Sequence, residues 1–140
     1  MIYLASPYLH PDPMVREQRF DDACEFAARL IRAGAVVFSA IAYSHPMVRF
    51  GCGDGWAHWK RLDTEMIRLA AAVVVLKLDG WQQSAGVLAE VKLAESLSIP
   101  IVWAEEEDGP EVVLGAVLES QRAVWVSSSP PLSSRRTPSR

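Results

Sequence analysis

Four carboxylates in this sequence stand where chemistry could be done: Asp54, Asp63, Asp79 and Glu90. Two of them flank the stretch that organises the rest, Asp79-Gly80-Trp81-Gln82-Gln83-Ser84-Ala85-Gly86-Val87-Leu88-Ala89-Glu90. An apolar run, Ala72 to Leu78, precedes it, and a helical pattern ending at Ser98-Ile99-Pro100 follows. The stretch therefore reads as strand, polar loop and first helical turn. In an open α/β sheet, ligands bind at that place, beyond the carboxyl ends of the strands. The unpaired N–H groups of a helix start suit an anion, so Ser84 and Gly86 are expected near a phosphate or sugar.

Glu90 has two readings. It is either a first-turn glutamate that complements the helix dipole or a functional carboxylate at the edge of the buried face. Its helical spacing from Val87, Val91 and Ala94 favours the second, because Lys92 and Glu95 supply the polar face. Asp63 lies between Trp59 and Met66 on another helical pattern, at spacings that point inward. A buried carboxylate is costly unless paired or useful, so Asp63 is either a structural hydrogen-bond acceptor or part of a site. Asp79-Gly80 and Gly53-Asp54-Gly55 read first as turns. Trp56, Trp59, Trp81, Tyr3 and Tyr8 could stack on a flat ligand such as a nucleobase, although Trp59 is as simply read as core or a dimer contact. Paired carboxylates with an aromatic pocket suit glycosidic chemistry: one captures an oxocarbenium-like sugar centre while an acid protonates the leaving group.

Other chemistries find less support. His10, His45 and His58 match no metal-ligand spacing, so neither metal nor cofactor is expected, and His45 in Ser44-His45-Pro46 reads as a loop or pocket contact. No dinucleotide fingerprint, phosphate loop or nucleophile elbow occurs.

These residues must be held by elements. Met1–Ala5 reads as a short buried strand, followed by a loop with Ser6 and Tyr8. Asp12 is placed to cap a helix with Pro13 at its first position, and Gly34 to end it. A second strand spans 35–40, a long loop 41–56, and a second helix about 57–70. Further strands are expected at 72–78, 101–104 and 123–126, with helices after Ser84 and over 111–119. The alternation predicts a single-domain three-layer αβα sandwich with a five-stranded parallel sheet, flavodoxin/Rossmann-like in order 2-1-3-4-5. The domain is drawn over residues 1–126, and 127–140, with six serines, three prolines and three arginines, reads as a flexible tail.

With 140 residues, half of them apolar, the chain can bury a core without staples. Net charge is −3, and the body before the tail carries −6 (11 basic, 17 acidic residues). That balance argues against non-specific nucleic-acid binding. No run is long enough to span a membrane and no basic leader precedes the first strand, so no membrane partner is expected. Cys24 and Cys52 form no ligand or disulfide pattern, which points to a reduced, cytoplasmic setting.

Three blocks together carry a resemblance. They are Ile2-Tyr3-Leu4-Ala5-Ser6-Pro7; Asp63 ahead of the Val73-Val74-Val75 strand; and Ser84-Ala85-Gly86-Val87-Leu88-Ala89-Glu90 followed by Ala94 and Ile99-Pro100-Ile101. Over residues 1 to about 104 the chain resembles the nucleoside 2-deoxyribosyltransferase superfamily, including its deoxynucleoside 5′-monophosphate N-glycosidase branch. It looks most similar to a small bacterial and phage group within it, the DUF1937-like proteins. The resemblance implies a hydrolase or transferase of a nucleoside or nucleotide N-glycosidic bond. Glu90 would be the nucleophile, Tyr3 would orient it, and Asp63 would contact the sugar or assist protonation of the base. Ser6, Tyr8, His45, Asp79, Trp81, Ser84 and Gly86 would contact substrate, Ser84 and Gly86 meeting any 5′-phosphate. It also implies a homodimer or larger homo-oligomer. Two places depart from the superfamily pattern: Ala70-Ala71-Ala72 replaces an acid, and the 7–13 loop lacks the arginine and glycines of the monophosphate branch. A non-catalytic nucleotide-sensing module on the same fold is the other reading.

Overall fold

The computed structural model describes residues 1–128. Four strands form one parallel sheet: β1 (Ile2–Ala5), β2 (Val37–Ser39), β3 (Ala72–Leu76) and β4 (Ile101–Ala104), in the order β2-β1-β3-β4. Helices α1 (Pro13–Arg32), α2 (Ala40–Val48), α3 (Trp56–Arg68), α4 (Ala85–Ser96) and α5 (Pro110–Ser128) cover it. A 3₁₀ turn, Trp81–Gln83, leads into α4.

The sheet sorts its side chains by parity, as a pleated strand must. Ile2, Leu4, Ala72, Val74, Leu76, Val102 and Ala104 face α1 and α5, meeting Phe26, Leu30, Val113 and Val117. Tyr3, Ala5, Val73 and Val75 face the other way, against Ala40, Ile67, Val87 and Ala94. β3 is buried along its whole length, which is why it reads as an unbroken apolar run. Each fully buried Val or Leu contributes about 1.5–3 kcal/mol relative to exposure. Tyr3 is the exception in β1: its ring packs in the core while its hydroxyl is a polar handle.

The expected cap of α1 is present. The Asp12 side chain accepts from the Met14 N–H at 2.9 Å, Pro13 opens the helix, and Gly34 takes φ +92° just past its end. Three expectations need correction. Among the described residues the sheet has four strands, not five, because Ala123–Val126 continues α5; the apolar Ala-Val-Trp-Val run suits a strand by composition but extends a helix already running from Pro110. For the same reason the short helix expected at 111–119 is a 19-residue one. The loop expected at 41–56 begins as α2, capped by Ser39 Oγ on the Ala42 N–H, despite Pro46 inside it. The boundary drawn at residue 126 falls inside α5, and the expected tail, apart from Ser127 and Ser128 at the end of α5, lies outside the described residues.

Candidate functional site

β1 connects outward to β2 on one side, and β3 connects outward to β4 on the other. The chain thus diverges between the adjacent strands β1 and β3, and the loops leaving their carboxyl ends separate to leave a crevice. A cavity of about 250 Å³ opens there. Its walls come from the loop after β1 (Ser6, Tyr8, Leu9), the α2–α3 region (Asp54, Trp56, Trp59, Asp63) and the start of α4 (Ser84, Gly86, Glu90).

Glu90 and Asp63 are each only 5% exposed, so both carboxyls sit at the inner end of the cavity. Beneath them Tyr3 is fully buried, and its hydroxyl donates to Glu90 Oε1 at 2.7 Å. The sequence sets this up directly. Tyr3 occupies the central strand on the α4 side, and Glu90 shares the buried stripe of α4 with Val87 and Ala94.

Burial dominates the electrostatics. It pushes the Glu90 carboxyl up to about 8, opposed by the Tyr3 hydrogen bond and reinforced by the Asp63 charge. Burial also pushes Asp63 up to about 6, opposed by the Tyr3 hydroxyl. The Tyr3 phenol is raised well above its ordinary value by burial and then by the charges of Glu90 and Asp63. Burial thus favours the protonated form of both carboxyls, and the two titrate as a coupled pair.

Two features of the wall favour a polar ligand. Ser6 Oγ is buried and has no hydrogen-bond partner among the described residues, a costly condition unless a ligand engages it. The first turn of α4 opens on the cavity at Ala85 and Gly86. Ser84 Oγ accepts from the Val87 N–H at 3.3 Å, so Ser84 is also the helix cap. Trp59 is held by its indole N–H, which donates to the Gly53 carbonyl at 2.6 Å, and with Trp56 it gives the cavity an aromatic wall.

Of the residues expected from sequence, Ser6, Tyr8, Asp63, Ser84, Gly86 and Glu90 line the cavity, and Tyr3 lies beneath it. Three do not join them. His45 is on α2 behind Tyr8, its Nδ1 2.7 Å from the Tyr8 hydroxyl, and it opens on a different hollow between α1 and α2. Asp79 is exposed on the far side of its loop, where its carbonyl accepts from Arg19. Trp81 turns away within the 3₁₀ turn and packs on Trp103, ring centroids 5.2 Å apart. The loop after β3 thus shapes the cavity through Gln83 and Ser84. Asp54, first read as a turn residue, lies in the cavity wall, and Glu17, which touches His45, was not singled out at all. Glu17 has no local signal, since its meaning depends on α2 packing against α1. Among the described residues no group of three or more His, Cys, Asp or Glu could hold a metal ion, and no helix is long and apolar enough to cross a membrane.

A Rossmann-like α/β domain with a paired-carboxylate cleft at the divergence of its central strands is the class that fold and site define. Within that class, the chain belongs to the family described as Domain of unknown function (DUF1937), whose model matches residues 1–106. That span holds all four strands and every cavity residue named above. No curated protein matches the chain.

Proposed function

We propose that this protein cleaves or exchanges the N-glycosidic bond of a nucleoside, deoxynucleoside or nucleoside 5′-monophosphate, with Glu90 as the nucleophile on the anomeric carbon. The observation that carries the reading is the Tyr3–Glu90 hydrogen bond of 2.7 Å under a cavity that also holds the buried Asp63. A carboxylate nucleophile must be held at one angle, and a fully buried phenol on a central strand does that. Asp63 contacts the sugar or assists protonation of the base. Trp56 and Trp59 offer a face to the base, while Ser6 and the first turn of α4 offer hydrogen bonds to a 5′-phosphate. The resemblance of the Tyr3, Asp63 and Ser84-to-Glu90 blocks to the nucleoside 2-deoxyribosyltransferase superfamily supports the same assignment, and with it a homodimer or larger assembly.

The raised Glu90 carboxyl favours a second reading. A neutral carboxyl in a buried cleft can hydrogen-bond a ligand without attacking it, as a nucleotide-sensing module would. A chromatographic screen for free base released from nucleosides and 5′-monophosphates, with Glu90→Gln alongside, separates the two. We expect base release by the wild type alone. Binding of a nucleotide by both proteins, with no release by either, would transfer the assignment to sensing.

A further inference from the structure

Behind Tyr8 lies a chain of side chains that the reading above does not use. Tyr8 is 7% exposed and lines the cavity. Its hydroxyl is 2.7 Å from His45 Nδ1, and the other ring nitrogen, Nε2, is 3.0 Å from Glu17 Oε2. Phe20 stacks on the imidazole with ring centroids 4.2 Å apart, and the Tyr8 ring meets it edge-on. With both nitrogens engaged and one face covered, the ring cannot turn without losing a bond. The three polar groups come from the loop after β1, from α2 and from α1, so the line crosses the fold from the cavity to the hollow between α1 and α2. Solvent reaches that hollow: the His45 side chain is 20% exposed and that of Glu17 62%.

We propose that Tyr8, His45 and Glu17 form a proton relay that protonates the departing base and then deprotonates the attacking water. The inference rests on the N-glycosidic reading and deepens it. When the imidazole carries both protons, Glu17 balances its charge, Nδ1–H donates to the Tyr8 oxygen, and the phenol O–H is turned toward the cavity. As the C1–N bond breaks, its electron pair stays on the base nitrogen, which takes the Tyr8 proton. The Tyr8 oxygen takes the proton of His45 Nδ1, leaving a neutral imidazole with Nε2–H on Glu17. The ionised Glu90 closes a C1–O bond on the sugar. In the second half, water attacks C1 and the C1–O bond to Glu90 breaks. The water gives one proton to the Tyr8 oxygen, and Tyr8 returns its own to Nδ1, so the relay is restored, acid in one step and base in the next.

Other charges face this line. Arg16 and Glu17 on α1 and Asp54 before α3 act on Tyr8, and Arg49 at the end of α2 opens on the same hollow as His45. Burial raises the Tyr8 phenol, which keeps it a proton carrier and not a resident anion.

The test compares leaving groups. The probes are the nucleoside the wild type cleaves fastest and the 4-nitrophenyl glycoside of the same sugar, whose phenolate departs without a proton. For Tyr8→Phe we expect kcat/KM to fall about 100-fold or more on the nucleoside but about threefold or less on the nitrophenyl compound. Glu17→Gln should follow the same order with a smaller loss, because it keeps a hydrogen bond to Nε2 and removes the charge. A merely structural role would lower both substrates alike, and equal losses overturn the relay. Where the wild type rejects the nitrophenyl compound, nucleosides whose bases differ in basicity serve instead: Tyr8→Phe must lose most on the most basic leaving group, and equal losses across the series overturn the relay. Base release by the wild type with equal losses in Tyr8→Phe defeats the relay alone. No release from any substrate defeats the N-glycosidic reading and the relay together.

Discussion

Glu90 carries the sharpest expectations at the scale of single residues. Its folded value of about 8 lies above the ordinary 4.5, so between these pH values the folded chain binds more protons than the unfolded one. Stability from this group is complete below about pH 4.5 and is lost as pH rises through about 8. Asp63, raised from 3.8 to about 6, adds the same trend at lower pH. Glu90→Gln, which keeps the shape and removes the ionisation, should therefore stabilise the protein by on the order of a few kcal/mol at pH 8.5 and leave it little changed at pH 5. Urea unfolding across that range checks this, and an unaltered pH dependence in the variant would remove the buried carboxyl as its source. The same titration sets activity with the opposite sign. A nucleophile must be ionised, so kcat/KM for base release should climb as pH passes through about 8. Tyr3→Phe deletes the hydrogen bond that holds Glu90 down, so the climb should move to higher pH and the rate at pH 7 should fall by at least about tenfold. A climb left in place by that variant would detach Tyr3 from the titration. Asp63 and Glu90 were legible in the sequence through helical spacing from apolar neighbours, whereas Tyr3 joined them only through the family resemblance, because β1 is buried at every position and no alternation marks it.

Between elements, Arg19 ties together two loops beside the cleft. From α1 it donates to the carbonyl of Leu9 at 2.8 Å and to that of Asp79 at 2.8 Å, joining the loop after β1 to the loop after β3. Those are the two loops that part to make the cavity, and Arg19 bridges them. Gly80 allows the approach: it takes φ +84°, and a Cβ there would stand 2.8 Å from Arg19 Nη2. Gly80→Ala should cost about 1–2 kcal/mol through the left-handed backbone and push the guanidinium away. Arg19→Ala should cost less in thermal stability yet speed amide exchange over residues 79–84, seen by mass spectrometry. Unchanged exchange there would show that the loops hold their spacing without it. This tie was not legible in the sequence. Arg19 reads as one more exposed helix charge, and its partners are backbone carbonyls, which carry no residue signature. The Tyr8–His45–Glu17 line was hidden for a related reason. Pro46 and the short span of α2 read as loop, and without α2 nothing brings His45 against α1. The false fifth strand shows the reverse failure, composition deciding where a continuing helix should have.

On the scale of the whole molecule, the family match and the hydrophobic core end at different places. The matched span stops at residue 106, just past β4, and already contains the sheet and the carboxylates. Yet α5 lies wholly beyond it and closes one face of the sheet. Val113 is 1% exposed and Val117 6%, and both pack with Val74, Val102 and Ala104 in the cluster that α1 also joins, with Leu114 and Ala116 against its edge. Two buried valines contribute on the order of 3–6 kcal/mol. Their removal would also return β3 and β4 side chains to water. Set against the roughly 5–15 kcal/mol by which a domain of this kind is stable, α5 supplies a large share. A chain cut after Gly109 should therefore lose cooperative unfolding and bind a hydrophobic dye, although every cavity residue remains in it. The milder Val113→Ala and Val117→Ala pair, made in the full chain, should lower the unfolding free energy by a few kcal/mol and leave the Glu90 titration in place, because the carboxylates belong to the opposite face of the sheet. Cooperative unfolding of the cut chain would mean that α1 and the sheet stand without their second cover. A shift of the Glu90 titration in the double variant would mean that the two faces of the sheet are coupled through β3, whose alternate residues point into both.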